Sequence, residues 1–112
     1  MKLRDVRQYL FDIAHACDLI VAATQGRSLD DYLKDPVLRA AVERQFITIG
    51  EALRQALDQE PDLAEQVPDA SAIIAFRNRL VHAYPYIDDA TVWGVVEWYL
   101  PALHRQVQLM LT

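Results

Sequence analysis

The sequence predicts an all-α fold, an up-and-down bundle of four main helices, and two observations support this prediction. Apolar residues recur at spacings of three and four along most of the chain, which is typical of helices that bury one face. Only three of the 112 residues are glycine and 53% are hydrophobic, a composition that suits neither disorder nor a β-rich fold. The length fits a single domain over residues 1–112.

The first helix is expected to run from about Lys2 to Thr24. Its apolar stripe consists of Leu3, Val6, Leu10, Ile13, Cys17, Ile20 and Val21. Gly26 is expected to end this helix, because glycine readily adopts the left-handed conformation found just after helix C-termini. Cys17 is the chain's one cysteine, which excludes an intramolecular disulfide and a cysteine-based metal cluster. Its place on the stripe predicts a small buried hydrophobic residue.

Two helix starts follow in close succession. Residues 28–31, Ser-Leu-Asp-Asp, resemble an N-cap followed by a negatively charged first turn, and they predict a short helical turn. Asp35 and Pro36 give a stronger start signal, because an N-cap residue precedes a proline at the first helical position. The second main helix is therefore expected to run from there to about Gln59.

The second main helix contains an unusual glycine. The helix's apolar stripe consists of Val42, Phe46, Ile49, Leu53 and Leu57. Gly50 lies inside this pattern, where glycine costs about 1 kcal/mol relative to alanine. A tight crossing with another helix would explain a glycine there.

The third helix follows a loop or single turn over residues 61–68. Asp69 can cap it, and its apolar positions are Ile73, Phe76, Leu80 and Val81. Pro85 should end this helix near Ala83, because the residue before a proline is pushed out of the helical conformation.

The last helix is expected to begin at Asp88 and Asp89. Its inward-facing residues are Trp93, Val96, Leu100, Leu103, Val107 and Met110. Pro101 lies inside this pattern and predicts a kink, since proline removes one backbone hydrogen bond and its ring crowds the preceding turn.

Charge and hydropathy exclude several classes of protein. The formal net charge of −5 argues against a broad electrostatic nucleic-acid binder, which presents a basic face, but it is compatible with a local basic site. No apolar run reaches the roughly 20 residues needed to span a membrane. The N-terminus turns amphipathic at once, unlike a signal peptide. Together with the single cysteine, these features predict a cytoplasmic protein without membrane association.

Polar and ionisable side chains gather in residues 77–84, which read Arg-Asn-Arg-Leu-Val-His-Ala-Tyr. His82 follows Arg77 by five residues and Asn78 by four, and it precedes Tyr84 by two. No two histidines of the chain stand three or four residues apart, so a helical metal site is not expected. We therefore expect a site that uses no metal and no cofactor.

These residue types suit metal-independent cleavage of RNA. The His82 imidazole can take the proton of a 2′-hydroxyl, and the same or a second imidazole can protonate the leaving oxygen. The planar Arg77 guanidinium can stabilise charge on the phosphate oxygens. Asn78 can orient the histidine or a phosphate, and Arg79 adds local positive charge. Composition and spacing alone favour a plainer interpretation, a helix end with surface arginines and a capping histidine.

The five-residue spacing has a geometric consequence. Five residues of helix turn by about 140° beyond one full turn and rise about 7.5 Å, so Arg77 and His82 are not stacked on one face. They can converge if His82 lies at a fraying helix end before Pro85. They converge more easily across a two-fold dimer in which each subunit contributes one set. We therefore expect a homodimer.

Residues 77–84, followed by Pro-Tyr-Ile-Asp, closely resemble the motif of the HEPN superfamily, and in particular the HepT toxins of MntA–HepT toxin–antitoxin pairs. That family's pattern is Arg, a polar residue, three further positions, His, any residue and Tyr. Arg77, Asn78, His82 and Tyr84 match it. Residues 42–46 and 49–52 are similar to the family's second-helix pattern, so the resemblance covers nearly the whole chain.

The resemblance implies a dimeric HEPN-like bundle with metal-independent endoribonuclease activity, in which Arg77 and His82 form a composite site that acts on RNA. It also implies a type VII-like toxin–antitoxin pair. The partner would be a minimal nucleotidyltransferase antitoxin, similar to MntA, that adds AMP to Tyr84 and forms a hetero-oligomer with the toxin. Negative charge and bulk at Tyr84 would obstruct RNA and repel its phosphates.

Two alternatives remain open from the sequence. The first is a non-catalytic HEPN module that partners a nucleotidyltransferase and holds a nucleotide or phosphate between Arg77 and His82. The second is a plain helical oligomerisation domain, in which residues 77–84 serve only as the end of a helix.

Overall fold

A computed structural model describes residues 4–112, apart from the side chain of Tyr84, and the regular structure in this part of the chain is entirely helical. The helices are α1 (Val6–Thr24), α2 (Leu29–Lys34), α3 (Pro36–Gln59), α4 (Ala70–His82), α5 (Asp89–Trp98) and α6 (Leu100–Leu111). Short 3-10 segments, Pro61–Glu65 and Tyr84–Tyr86, flank α4. The predicted all-α class is therefore confirmed.

Helix α3 occupies the centre of the fold. It packs against α1, α2 and α4, while α6 packs against α1 and α5. The rings of Phe46 and Phe76 meet edge to face across the α3–α4 contact, with centroids 5.4 Å apart. The rings of Tyr32 and Trp93 lie 5.2 Å apart and link α2 to α5. Aromatic pairs of this kind add to the apolar area that the helices bury.

Cys17 is fully buried within α1, as the sequence predicts. Burial raises the pKa of its thiol to about 12. The thiol is therefore protonated at neutral pH and contributes as a packing group.

The predicted caps of α2 and α3 are present. Ser28 accepts a hydrogen bond from the backbone N–H of Asp31, whose carboxylate accepts one from the N–H of Ser28. Asp35 accepts from the N–H of Leu38, and Pro36 occupies the first turn of α3. Gly26 has a φ of 74°, in the left-handed region, just beyond the end of α1. These local signals fix where the helices begin and end.

Two predictions about the N-terminal ends of helices, the start of α1 and the side-chain cap of α4, need correction. The expected start of α1 near Lys2 lies outside the described residues, and the helix begins at Val6, where Asp5 and Gln8 form a capping box. Asp69 stands at the N-cap of α4, but its side chain makes no capping hydrogen bond. Its φ and ψ of −89° and 6° depart from the extended conformation that normally directs an N-cap side chain onto the first turn.

Two apolar positions assigned to buried stripes are wrong. Val21 is 42% exposed and Val81 is 38% exposed. Each directly follows a buried residue, Ile20 or Leu80, and successive residues of a helix point about 100° apart. The stripe of α1 continues through Thr24 instead, whose hydroxyl donates to the carbonyl of Ile20 at 2.7 Å.

The expected kinked last helix is instead two helices, α5 and α6, which meet at Tyr99. Pro101 lies in the first turn of α6, where its missing N–H costs little. The interruption precedes the proline because its ring disfavours a continuous helix through the residues before it. None of the helices in the described part of the chain is long and apolar enough to cross a membrane.

Helices α3 and α4 are in close contact at Gly50 and Arg77. A Cβ atom built on Gly50 would overlap the Cβ of Arg77 and lie 2.6 Å from its Cγ. Only a glycine therefore lets the α4 backbone lie at this distance from α3. The tight crossing predicted from Gly50 is confirmed, and it fixes the stem of the Arg77 side chain.

We expect Gly50→Ala to destabilise the fold by about 1–3 kcal/mol, because the added methyl group forces α4 away from α3. Gly94 provides the matched control, since it also lies within a helix but has no atom within 4 Å of a built Cβ. Gly94→Ala should stabilise the fold by about 0.4–1 kcal/mol. Urea unfolding of both variants is the measurement. Equal stabilisation by the two substitutions would contradict the close crossing.

Candidate functional site

The candidate site lies at the C-terminal end of α4. Arg77, Asn78 and His82 belong to the last two turns of this helix, which ends at His82 with Ala83 as its C-cap. Pro85 follows within the 3-10 segment Tyr84–Tyr86. The predicted end of the helix near Ala83 is therefore confirmed.

Arg77 is held by both of its terminal nitrogens. One, Nη2, lies 3.1 Å from Oε2 of Glu51 on α3, and the other, Nη1, donates to Oδ1 of Asn78 at 2.9 Å. The side chain is 20% exposed, and its buried Nε has no hydrogen-bond partner within the described residues. The guanidinium is thus fixed in position and still presents part of its edge to solvent.

Glu51 connects Arg77 to a wider network on α3. Its carboxylate accepts hydrogen bonds from Arg54 at 2.7 and 3.3 Å and from Gln55 at 3.1 Å. The pKa of Glu51 is held below its ordinary value of 4.5, mainly by the hydrogen bonds from Arg54. The hydrogen bond from Gln55 and the charges of Arg54 and Arg77 also lower this pKa. A carboxylate with this many donors is ionised at neutral pH.

Sequence reasoning did not identify Glu51 as a site residue. Its spacing to Arg54 and Gln55 could have predicted the contacts along α3, because residues three and four apart are neighbours on a helix. The contact with Arg77 depends on how α3 and α4 pack, and a sequence pattern within either helix does not give it.

Asn78 lies between the arginine and the histidine. Arg77 has only donors, so the Asn78 oxygen must face it and the amide N–H bonds must point elsewhere. His82 follows one helical turn later and is exposed. Asn78 and His82 are therefore neighbours on the helix surface, which suits the predicted orienting role of Asn78.

The other predicted site residues lie apart from Arg77. Arg79 lines a separate cleft of about 220 Å³ between α4 and α5, together with Phe76 and Tyr99. The backbone of Tyr84 starts the 3-10 segment after α4, but its side chain lies outside the described part of the structure. The structure brings Arg77 and Asn78 together and places Arg79 in a different cleft.

Arg77 lines an open cleft of about 480 Å³ between α1, α3 and α4, which we call the large cleft. Its charged lining consists of three arginines and two carboxylates, namely Arg4, Arg44, Arg77, Asp12 and Glu51. His82 is not part of this lining. Within residues 4–112, no three His, Cys, Asp or Glu side chains converge as metal ligands would.

A family model described as Ribonuclease HepT-like matches residues 13–110. A relative from Thermococcus cleftensis named "Probable ribonuclease HepT" is 32% identical over 100 residues, which cover 89% of this chain and 90% of the relative. No solved structure matches the chain.

Two further relatives are named as candidate RNases. The one from Caldanaerobacter subterraneus subsp. tengcongensis is 29% identical over 97% of this chain and 96% of its own length. The one from Methanocaldococcus jannaschii is 28% identical over 98% of this chain and 100% of its own length. These matches confirm the resemblance drawn from residues 77–84, and the chain belongs to the HepT-like ribonuclease family of the HEPN superfamily.

Proposed function

We propose that this chain is a metal-independent endoribonuclease and the toxin of a type VII-like toxin–antitoxin pair. The observation that carries the proposal is the fixed Arg77 guanidinium, which is hydrogen-bonded to Asn78. Asn78 in turn lies one helical turn before the exposed His82. Membership of the HepT-like ribonuclease family supports the ribonuclease activity. The names of the relatives point to the same activity.

In the proposed reaction, the His82 imidazole accepts the proton of an RNA 2′-hydroxyl. The 2′-oxygen then attacks the adjacent phosphorus, and the bond from phosphorus to the 5′-oxygen breaks. An imidazolium returns a proton to that leaving oxygen, which gives a 2′,3′-cyclic phosphate and a 5′-hydroxyl end. Positioned acid–base groups of this kind contribute about 10²–10⁴-fold to a rate.

Arg77 would stabilise the charge that develops on the non-bridging oxygens. A guanidinium has five N–H donors. Glu51 and Asn78 engage one terminal nitrogen each, and the Nε is buried. The remaining hydrogens of the two terminal nitrogens can meet a phosphate, and a guanidinium already held in place needs little reorganisation to do so.

We propose that the complete site forms in a two-fold homodimer. Arg77 lies against α3 and lines the large cleft, whereas His82 is exposed and lies outside that lining. A second copy placed against the end of α4 can bring His82 of one subunit to Arg77 of the other. Two-fold symmetry would then create equivalent pairs, as expected for an isologous contact.

We also propose that a minimal nucleotidyltransferase antitoxin controls this site through Tyr84. Transfer of AMP joins the tyrosine oxygen to the α-phosphorus of ATP and releases pyrophosphate. Tyr84 follows His82 by two residues, so the added group would place bulk and negative charge beside the general acid/base. Both effects would oppose the binding of RNA phosphates.

We expect His82→Ala to lower RNA cleavage by about 10²–10⁴-fold and Arg77→Ala to lower it by about 10²–10³-fold. The measurement is cleavage of a labelled RNA in excess EDTA. His15→Ala is the matched control, because His15 is also an exposed histidine but lies on α1. Undiminished cleavage by His82→Ala would refute the assigned role.

Glu51→Gln should weaken cleavage by releasing Arg77, and it should have little further effect in the Arg77→Ala background. Asp58→Asn is the control, because Asp58 contacts Arg54, 3.2 Å away, without contacting Arg77. Equal losses for Glu51→Gln with and without Arg77 would show that Glu51 does not act through the arginine.

The same variant gives a pH-dependent prediction for stability. The folded-state pKa of Glu51 lies below 4.5, so its stabilising contribution is present above that pH and is lost as the pH falls through the lowered pKa. The melting-temperature difference between the native chain and Glu51→Gln should therefore be largest near neutral pH and shrink as the pH falls below 4.5. A difference that grows on acidification would contradict the network.

Co-expression with a cognate nucleotidyltransferase should raise the intact mass of the chain by whole AMP units. Tyr84→Phe should abolish this gain, because it removes the accepting hydroxyl. Tyr86→Phe, in the same 3-10 segment, should retain it. A gain that persists in Tyr84→Phe would assign the modification to another residue.

A further inference from the structure

The large cleft continues beyond Arg77 along one face of α3. Arg44, Thr48, Glu51 and Gln55 are spaced by four, three and four residues, and all of them line this cleft. Such spacing places them in one row on the helix surface. The row is about 16 Å long, from the rise of about 1.5 Å per residue.

Two of the three arginines in the cleft form ion pairs. Arg4 lies 2.6 Å from Asp12, and Arg77 lies 3.1 Å from Glu51. Arg44 is exposed, and no carboxylate of residues 4–112 lies within ion-pair distance of it. The positive excess of this cleft is therefore carried by Arg44, in a chain whose net charge is −5.

We propose that Arg44 and Thr48 form a phosphate-binding subsite that holds the RNA strand next to the phosphate at Arg77. This inference rests on the proposed ribonuclease function. The Arg44 guanidinium can donate two parallel hydrogen bonds to a phosphate. Thr48 lies one helical turn further towards Glu51 and can donate its hydroxyl to the same or the next phosphate.

The shape of the cleft favours a strand over a single nucleotide. The row from Arg44 to Gln55 lines one side of the open cleft, and Arg77 reaches this row from α4 through its contact with Glu51. A strand that binds at Arg44 and Thr48 thus passes directly to the candidate catalytic arginine. A single phosphate would occupy only one end of the row.

The test is the binding of a labelled single-stranded RNA to the His82→Ala protein, which keeps the cleft and should cleave RNA about 10²–10⁴-fold more slowly. Arg44→Gln in this background should weaken the affinity about fivefold, as for one exposed charge contact. It should also reduce the slope of log affinity against log salt by about 0.7, the value for one phosphate contact on a single strand.

Arg105→Gln in the same background is the matched control. Arg105 is an exposed helical arginine on α6, outside the cleft, and it has no ion pair with the described carboxylates. Its loss should leave affinity and salt slope unchanged. Equal effects of Arg44→Gln and Arg105→Gln, or absence of RNA binding by the background protein, would overturn the subsite.

A second arm uses AMP as competitor. If Arg44→Gln weakens AMP and RNA binding equally, Arg44 belongs to a mononucleotide site and the strand proposal is wrong. RNA cleavage by the native chain is measured in a separate assay. If Arg44 does not form the proposed subsite, this cleavage should still occur, because Arg77 and His82 carry the chemistry. Failure of the subsite and failure of the ribonuclease function therefore give different results.

Discussion

The close crossing of α3 and α4 at Gly50 is the constraint on which the candidate site depends. Because Gly50 has no side chain, the Cβ and Cγ of Arg77 rest directly against the α3 backbone. The guanidinium then reaches Glu51, the next residue of α3, and is held there at 3.1 Å. A larger residue at Gly50 would displace the stem of Arg77 and disturb this ion pair, so packing and chemistry are set by the same contact.

The local pairing of charges makes an acidic chain compatible with the proposed binding of RNA. Charge is arranged locally in the large cleft, where Asp12 and Glu51 pair with Arg4 and Arg77 and leave Arg44 in excess. The paired carboxylates hold Arg4 and Arg77 in position. They also weaken the attraction of these two arginines for phosphate. Such an arrangement favours defined contacts with a strand over the broad electrostatic binding of a basic protein.

The sequence predicts those features that depend on neighbouring residues. The caps at Ser28 and Asp35, the turn at Gly26 and the end of α4 before Pro85 follow from local backbone chemistry, and the structure confirms them. The division of the last helix at Tyr99 was not predicted, because a helical apolar pattern continues across it. Glu51 was missed as a site residue because its contact with Arg77 arises only when two helices pack.

The sequence also indicated that Arg77 and His82 do not share one helix face, and the structure agrees in placing Arg77 in the cleft and His82 outside its lining. We propose that the two residues act together across a homodimer. Two variants with strongly reduced cleavage, Arg77→Ala and His82→Ala, can be unfolded together, refolded as a mixture and assayed for RNA cleavage. Heterodimers would then contain one intact Arg77 and one intact His82 on different subunits, and we expect the mixture to regain cleavage. A mixed heterodimer that forms but cleaves RNA no faster than either variant alone would contradict this proposal.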